Sequence, residues 1–247
     1  MLKRILSSER TILAEVRKEI LEVKKKYGDD RRTQILGERS EFSVEDLIAD
    51  EEMVVTVSNL GYIKRVPVAA YRKQKRGGKG VTGMETKEED FVRDLFVASA
   101  HQYLLFFTNK GRVYWRKVHE LPKASRTARG RAIVNVLNLT GDEGVTACLP
   151  VRDLDEEGKF VFMVTEKGTV KKTDLTAFSN PRATGIIAID LEKDDTLIDV
   201  QITSGEDNIL IATYLGMSIR FPESDVRPMG RAARGVIGIR LDEGDRV

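Results

Sequence analysis

Leu104-Leu-Phe-Phe-Thr-Asn-Lys-Gly111-Arg-Val-Tyr-Trp-Arg-Lys117 is an apolar run, a polar turn ending in glycine, and a second run mixing β-formers with cations. Glycine reaches the positive φ that a tight reversal needs, so the stretch predicts a β-hairpin. The same phrase occurs as Met53-Val-Val-Thr-Val-Ser-Asn-Leu-Gly61-Tyr-Ile-Lys-Arg-Val66. It returns as Val161-Phe-Met-Val-Thr-Glu-Lys-Gly168-Thr-Val-Lys-Lys172 and as Ile209-Leu-Ile-Ala-Thr-Tyr-Leu-Gly216-Met-Ser-Ile-Arg220. The glycines are 50, 57 and 48 residues apart. Self-similarity at such a period marks a repeat architecture.

A second marker runs nearly in phase with the first: cations approaching a glycine, then a short apolar strand. Its copies are Arg76-Gly-Gly-Lys-Gly80-Val, Arg129-Gly130-Arg-Ala-Ile-Val, Arg182-Ala-Thr-Gly185-Ile-Ile and Arg234-Gly235-Val-Ile. A further strand follows in each complete unit, at Leu95-Phe-Val-Ala-Ser, Val145-Thr-Ala-Cys-Leu and Leu197-Ile-Asp-Val-Gln-Ile. A hairpin plus two strands in about 50 residues is the arithmetic of a propeller blade. The predicted class is mainly β, a β-propeller or β-pinwheel of about four to five repeats behind an amphipathic N-terminal helix. A β-sandwich would not predict a common glycine phase. The chain reaches Val247 just after the fourth second marker, so a fragment of a larger ring is expected.

The helix is read over residues 1–28. Ile12, Leu13, Val16, Ile20, Val23 and Tyr27 make one apolar stripe, Ser7 and Ser8 stand as N-caps, and Gly28 follows three lysines as a stop. Such a stripe docks either on a helix outside this sequence or on the domain that follows. Residues 29–48 read as a linker and residues 49–247 as the repeat domain. One cysteine, Cys148, cannot make an intramolecular disulfide or a metal site alone, and reads as a buried small hydrophobe in a reducing compartment. No apolar run is long enough to span a membrane, and a cytoplasmic setting is expected.

The net charge of +2 is ordinary; its distribution is not. Residues 62–80 carry seven cations and no acid, and residues 110–131 carry eight cations against Glu120. Residues 142–157 carry six acids and residues 190–207 carry seven. Equivalent positions in a ring of blades lie together, so basic segments in one phase predict a positive track for a phosphate backbone. The densest segment is Gln74-Lys75-Arg76-Gly77-Gly78-Lys79-Gly80, where glycines clear space for backbone N–H groups to approach a phosphate. The predicted backbone contacts are Lys64, Arg65, Arg112, Arg116, Lys117, Arg126, Arg129, Arg131, Lys171, Lys172, Arg182, Arg220, Arg231 and Arg234. Lysine and arginine beside small residues suit phosphates rather than base edges. No recognition helix, zinc finger, P-loop, nucleophile elbow or metal-ligand cluster is visible. His101 and His119 stand in different repeats without a telling partner, and neither reads as catalytic. Trp115 and Tyr114 read as packing rather than a base-stacking platform.

Taken together, these features resemble the C-terminal part of the A subunit of bacterial DNA gyrase, over essentially the whole chain. Gln74–Gly80 is similar to that family's signature box, with Lys75 where arginine is usual; the exchange keeps charge and loses the planar fork. Ser7 through Tyr27, and on to Thr33, resembles the last helix and exit of the breakage-reunion domain. The resemblance implies a β-pinwheel, in which strands are exchanged between blades and duplex DNA is wrapped on the rim. It implies a part in ATP-dependent negative supercoiling, with no cofactor in this chain and with ATP and magnesium held by the gyrase B subunit. It also implies dimerisation of the A subunit through a region upstream, and a nucleoid-associated protein. The family's catalytic tyrosine belongs to a motif that none of the tyrosines here occupies, so the chain alone is expected neither to cut DNA nor to hydrolyse ATP. Two rivals stand beside this reading. One is the equivalent domain of topoisomerase IV, whose box is generally degenerate. The other is a propeller serving as a protein-interaction scaffold, which would not need basic segments in phase.

Overall fold

The computed structural model describes residues 6–29, 33, 44–71, 83–84 and 90–247. The chain divides into two units, Met1–Ser43 and Val44–Val247. The first contains helix α1 (Glu9–Tyr27). Ser8 occupies the N-cap with an extended backbone, its carbonyl accepting from Thr11 and Ile12, while the Gly28 N–H donates to the Lys24 carbonyl and closes the last turn. Three lysines in that turn face the negative end of the helix dipole. Most of the segment read as a linker lies outside the described residues. Its end forms a 3-10 turn, Val44–Leu47, whose Glu45 pairs with Lys117. The Ile48 carbonyl lies 2.9 Å from Nε2 of His101.

The second unit is a series of blades. Blade one contains β1 (Glu52–Ser58), β2 (Tyr62–Pro67) and β3 (Val92–Ser99); blade two contains β4 (Tyr103–Thr108), β5 (Arg112–Lys117) and β7 (Val145–Val151). Between β5 and β7 lies β6 (Arg131–Ala132). Blade three contains β8 (Phe160–Thr165), β9 (Thr169–Asp174) and β11 (Leu197–Thr203), with β10 (Ile186–Ile187) between β9 and β11. The last hairpin is β12 (Asn208–Ala212) with β13 (Ser218–Pro222), followed by β14 (Val236–Ile237).

All four hairpins form at the glycines that the sequence marks, and they close alike. Ser58, Thr108, Thr165 and Thr213 each accept, at the backbone carbonyl, the N–H of Gly61, Gly111, Gly168 and Gly216. The same four hydroxyls accept the N–H of Tyr62, Arg112, Thr169 and Met217. Carboxylates clamp three of the turns from outside: Asp90 accepts from the Leu60 N–H, Asp195 from Lys167 and Asp245 from Leu215, at 2.9, 3.0 and 2.9 Å. Acids at these places satisfy backbone donors that the reversal leaves unpaired.

The sheet orders are β3-β1-β2-β6, β10-β5-β4-β7 and β11-β8-β9-β14. The strand after each of the last three second markers therefore does not complete its own blade, and the first marker lies outside the described residues. Each of these strands crosses to the blade before: β6 pairs with β2, β10 with β5 and β14 with β9. This is strand exchange of the pinwheel kind. It explains why the second marker carries a glycine. Gly235 sits at φ +114, and a Cβ there would come within 2.5 Å of the Val170 carbonyl on β9. The crossing chain needs both the left-handed backbone and the bare Cα.

The core lies between blades. Leu104 and Phe106 face blade one with Met53, Val55 and Ile63, while Leu105 and Phe107 face blade three with Val161, Met163 and Phe178. A strand buried on both faces reads as an unbroken apolar run rather than an alternating one, which is the character of Leu104–Phe107. Cys148 is buried in the first of these layers, and burial pushes its thiol up.

Candidate nucleic-acid interface

The predicted cations divide into two sets once the strands are in place. In the first set, Lys64, Arg65, Arg116, Lys117, Lys171 and Lys172, all on second hairpin strands, are held by protein groups. Lys64 is fully buried, and its Nζ donates to the carbonyls of Ser125, Arg126 and Ala128, at 3.2 Å for the first and 2.8 Å for the last. Lys171 is also fully buried and donates to the carbonyls of Ala188, at 2.7 Å, and Arg231. Lys172 donates to the Glu223 carbonyl at 2.8 Å and lies over the Phe160 ring. The expectation that these three lysines touch a nucleic-acid backbone is corrected: a buried ammonium must be satisfied internally, and carbonyls of the crossovers and of the next blade's turn supply the acceptors.

Arg65, half-buried, follows the same logic, with Nε on the Leu121 carbonyl and Nη2 on the His119 carbonyl, both at 2.8 Å. Burial lowers its pKa, against the opposing charge of Glu51. Trp115 takes the equivalent place in blade two and donates Nε1 to the Phe178 carbonyl at 3.1 Å. Arg65, Trp115 and Lys172 thus grip the short turn that follows the next hairpin, by three chemistries at one phase. Arg116 is spent on the Val136 and Trp115 carbonyls, and Lys117 on Glu45 and the Tyr103 ring. His119 Nδ1 lies 3.2 Å from the Ala100 carbonyl and its ring meets His101 edge-on, which is packing.

The second set belongs to the crossovers that carry the exchanged strands. Arg129 and Arg131 are exposed and Arg126 half-buried on the crossover into blade one, with Arg129 stacked 5.7 Å above the Tyr62 ring. Arg182 is exposed on the next crossover. Arg231 and Arg234 sit on the one after, half-buried and exposed, with Arg234 Nε 3.2 Å from Asp190. Arg220 is exposed on the last hairpin. Lys123, exposed at the start of the first crossover, escaped the sequence reading. Its three-residue spacing from Arg126 and Arg129 was the available signal.

Two crossovers meet along an open groove of about 760 Å³. Arg112, Arg182 and Arg231 line it, and Gly185, Gly230, Ala232 and Ala233 leave its backbone uncovered. Arg112 is fixed by Nη2 donating to the Thr184 carbonyl at 2.7 Å, and its buried Nε has no protein acceptor. Three arginines among small residues give this concavity the charge and the open backbone that suit phosphate oxygens. The structure brings these three together; Gln74, Lys75, Arg76, Gly77, Gly78, Lys79 and Gly80 lie outside the described residues. No grouping of three or more His, Cys, Asp or Glu suited to a metal occurs among the described residues.

A family model described as "DNA gyrase C-terminal domain, beta-propeller" matches residues 52–99, 102–152, 159–204 and 207–247, one match per repeat. The chain belongs to the DNA gyrase C-terminal domain family. It is 49% identical over 247 residues to the DNA gyrase A subunit of Staphylococcus aureus, and 48% identical over 237 residues to that of Clostridium acetobutylicum. These alignments cover 100% and 96% of this chain and 28% of each relative. The chain thus spans under a third of the length of the gyrase A subunits it matches. Among solved structures, a C-terminal domain of DNA topoisomerase IV aligns with TM-score 0.70 and 32% identity, covering 81% of this chain and 60% of that one. A DNA gyrase A C-terminal domain aligns with TM-score 0.61 and 25% identity, covering 79% and 63%. The gyrase-family pinwheel therefore accounts for the strand exchange, and the four matched segments coincide with the four hairpin units. Among the described residues, no helix is long and apolar enough to cross a membrane.

Proposed function

We propose that this chain binds duplex DNA along its crossover loops and bends it, as the wrapping domain of the A subunit of a gyrase-type topoisomerase. The observation that carries this reading is the groove in which Arg112, Arg182 and Arg231, from blade two and two successive crossovers, surround uncovered backbone. Strand exchange repeats the crossover at each blade, so arginines recur at equivalent places, as a curved phosphate track requires. Bending a duplex costs several kcal/mol, and many phosphate contacts are needed to offset it. In this reading the chain supplies the wrap, while the B subunit supplies ATP and magnesium and the A-subunit dimer supplies strand cleavage. The setting is the bacterial cytoplasm, on the nucleoid.

The test is topological. A nicked plasmid is incubated with the purified chain at low salt and ligated, and linking number is read on a gel. A shifted topoisomer distribution that collapses as salt rises is expected. An unshifted distribution would overturn wrapping. The similarity to a topoisomerase IV domain favours a second reading, the equivalent domain of that enzyme. Gln74–Gly80 separates the two, because in the gyrase reading the shift depends on that box.

A further inference from the structure

We propose that Lys64 and Lys171 are positioning residues for the DNA surface: each ammonium, carried by one blade, holds the crossover from the next unit by one or more of its carbonyls and sets where its arginines project. This inference rests on the duplex-binding reading above. Lys64 is the third residue after Gly61 and Lys171 the third after Gly168, so they are equivalent. The acceptors of Lys64 are the carbonyls of Ser125, Arg126 and Ala128, which bracket Arg126 and directly precede Arg129. An ammonium has three donors, and here they converge on three carbonyls of one loop. Lys171 joins the Ala188 carbonyl, beside β10, to the carbonyl of Arg231 itself.

Closing the blade does not require a cation at this place. In blade two the equivalent residue is Tyr114, whose hydroxyl donates to Glu143 at 2.9 Å while Gly185 packs against its ring. Burying an ammonium is unfavourable unless its hydrogen bonds are complete, and an apolar or aromatic side chain fills such a space without that desolvation. The cation appears instead under the two crossovers that bear two or more arginines, and the Tyr114 site lies under the crossover bearing Arg182. At Lys171 the arrangement is also electrostatically unfinished. Burial pushes its pKa down to about 8, Arg231 pushes it the same way, and Asp190 opposes them while also pairing with Arg234. A phosphate seated at Arg231 would relieve that repulsion.

The experiment measures binding of the full chain to a labelled linear duplex by anisotropy across a salt series. Each lost phosphate contact flattens the slope of log K against log salt by about 0.9. Arg126→Ala/Arg129→Ala is expected to flatten it by about two contacts, Lys64→Met by a similar amount, and the triple variant by no more than the double. That lack of additivity separates positioning from a general structural role. Lys64→Gln retains two donors and replaces Lys64→Met should the latter fail to fold. A folded Lys64 variant with the wild-type slope, or a triple variant flatter than the double, overturns the proposal. A wild-type chain without salt-dependent binding would instead overturn duplex binding. A second arm varies pH. A bound phosphate raises the Lys171 pKa, so the complex holds more protons and affinity falls as pH rises through about 8. Arg231→Ala and Lys171→Met should each remove that fall, and its persistence in both would overturn the role given to Lys171.

Discussion

At the scale of single residues, the position four places after the first three hairpin glycines shows how one structural need is met by unlike side chains. Arg65, Trp115 and Lys172 share no size or charge pattern, yet each donates a hydrogen bond to the turn of the next blade. What the repeats have in common is a donor at a given reach. Trp115→Phe keeps most of the apolar contact and deletes the donor, leaving the Phe178 carbonyl unpaired inside the core. An unsatisfied buried group costs about 1–3 kcal/mol. The substitution is expected to lower stability by that amount, read as a lower urea midpoint at an unchanged m-value. An unchanged midpoint would show that the hydrogen bond contributes nothing net.

At the scale of elements, the exchanged strands are the weak point and the source of cohesion. Each is a two-residue strand, too short to hold a sheet by itself, and is seated by a crossing backbone that passes within contact of its host. Gly235→Ala would force an L-residue to φ +114 and drive a Cβ into the Val170 carbonyl. Strain of that kind costs about 1–3 kcal/mol. Hydrogen–deuterium exchange should show lost protection confined to Val236–Ile237 and their partners Thr169 and Val170, and uniform loss over all blades would contradict a local seat for β14.

At the scale of the molecule, binding and bending separate. Arginines recur on successive crossovers, so removing one cluster leaves others to attract phosphate. Gln74–Gly80 is the densest cluster in the sequence, three cations among three bare Cα atoms. Alanine replacement of that stretch is expected to abolish the linking-number shift while retaining most of the affinity for short linear duplexes. Equal collapse of both would show that the box is a general anchor rather than a bending device.

The repeat, the four hairpins and the third strands were legible in the sequence because glycine phase and apolar runs are local properties. The split of the cations was not. Lys64 and Arg129 look alike in composition and charge, and only the lateral packing of blade on blade turns one inward and the other out. A clue was present in the alignment of the repeats: a residue three places after the glycine that is lysine in two copies and tyrosine in a third points to a shared buried site. The destination of the exchanged strands was equally silent, since a two-residue apolar strand carries no mark of which sheet receives it. By itself, then, the sequence determined a repeating β architecture with its reversals at Gly61, Gly111, Gly168 and Gly216, because positive φ and hydrophobic period are written residue by residue. Only the tertiary structure decided which cations face solvent, because that depends on carbonyls brought in from a neighbouring blade, at Ser125, Arg126 and Ala128 for Lys64 and at Arg231 for Lys171.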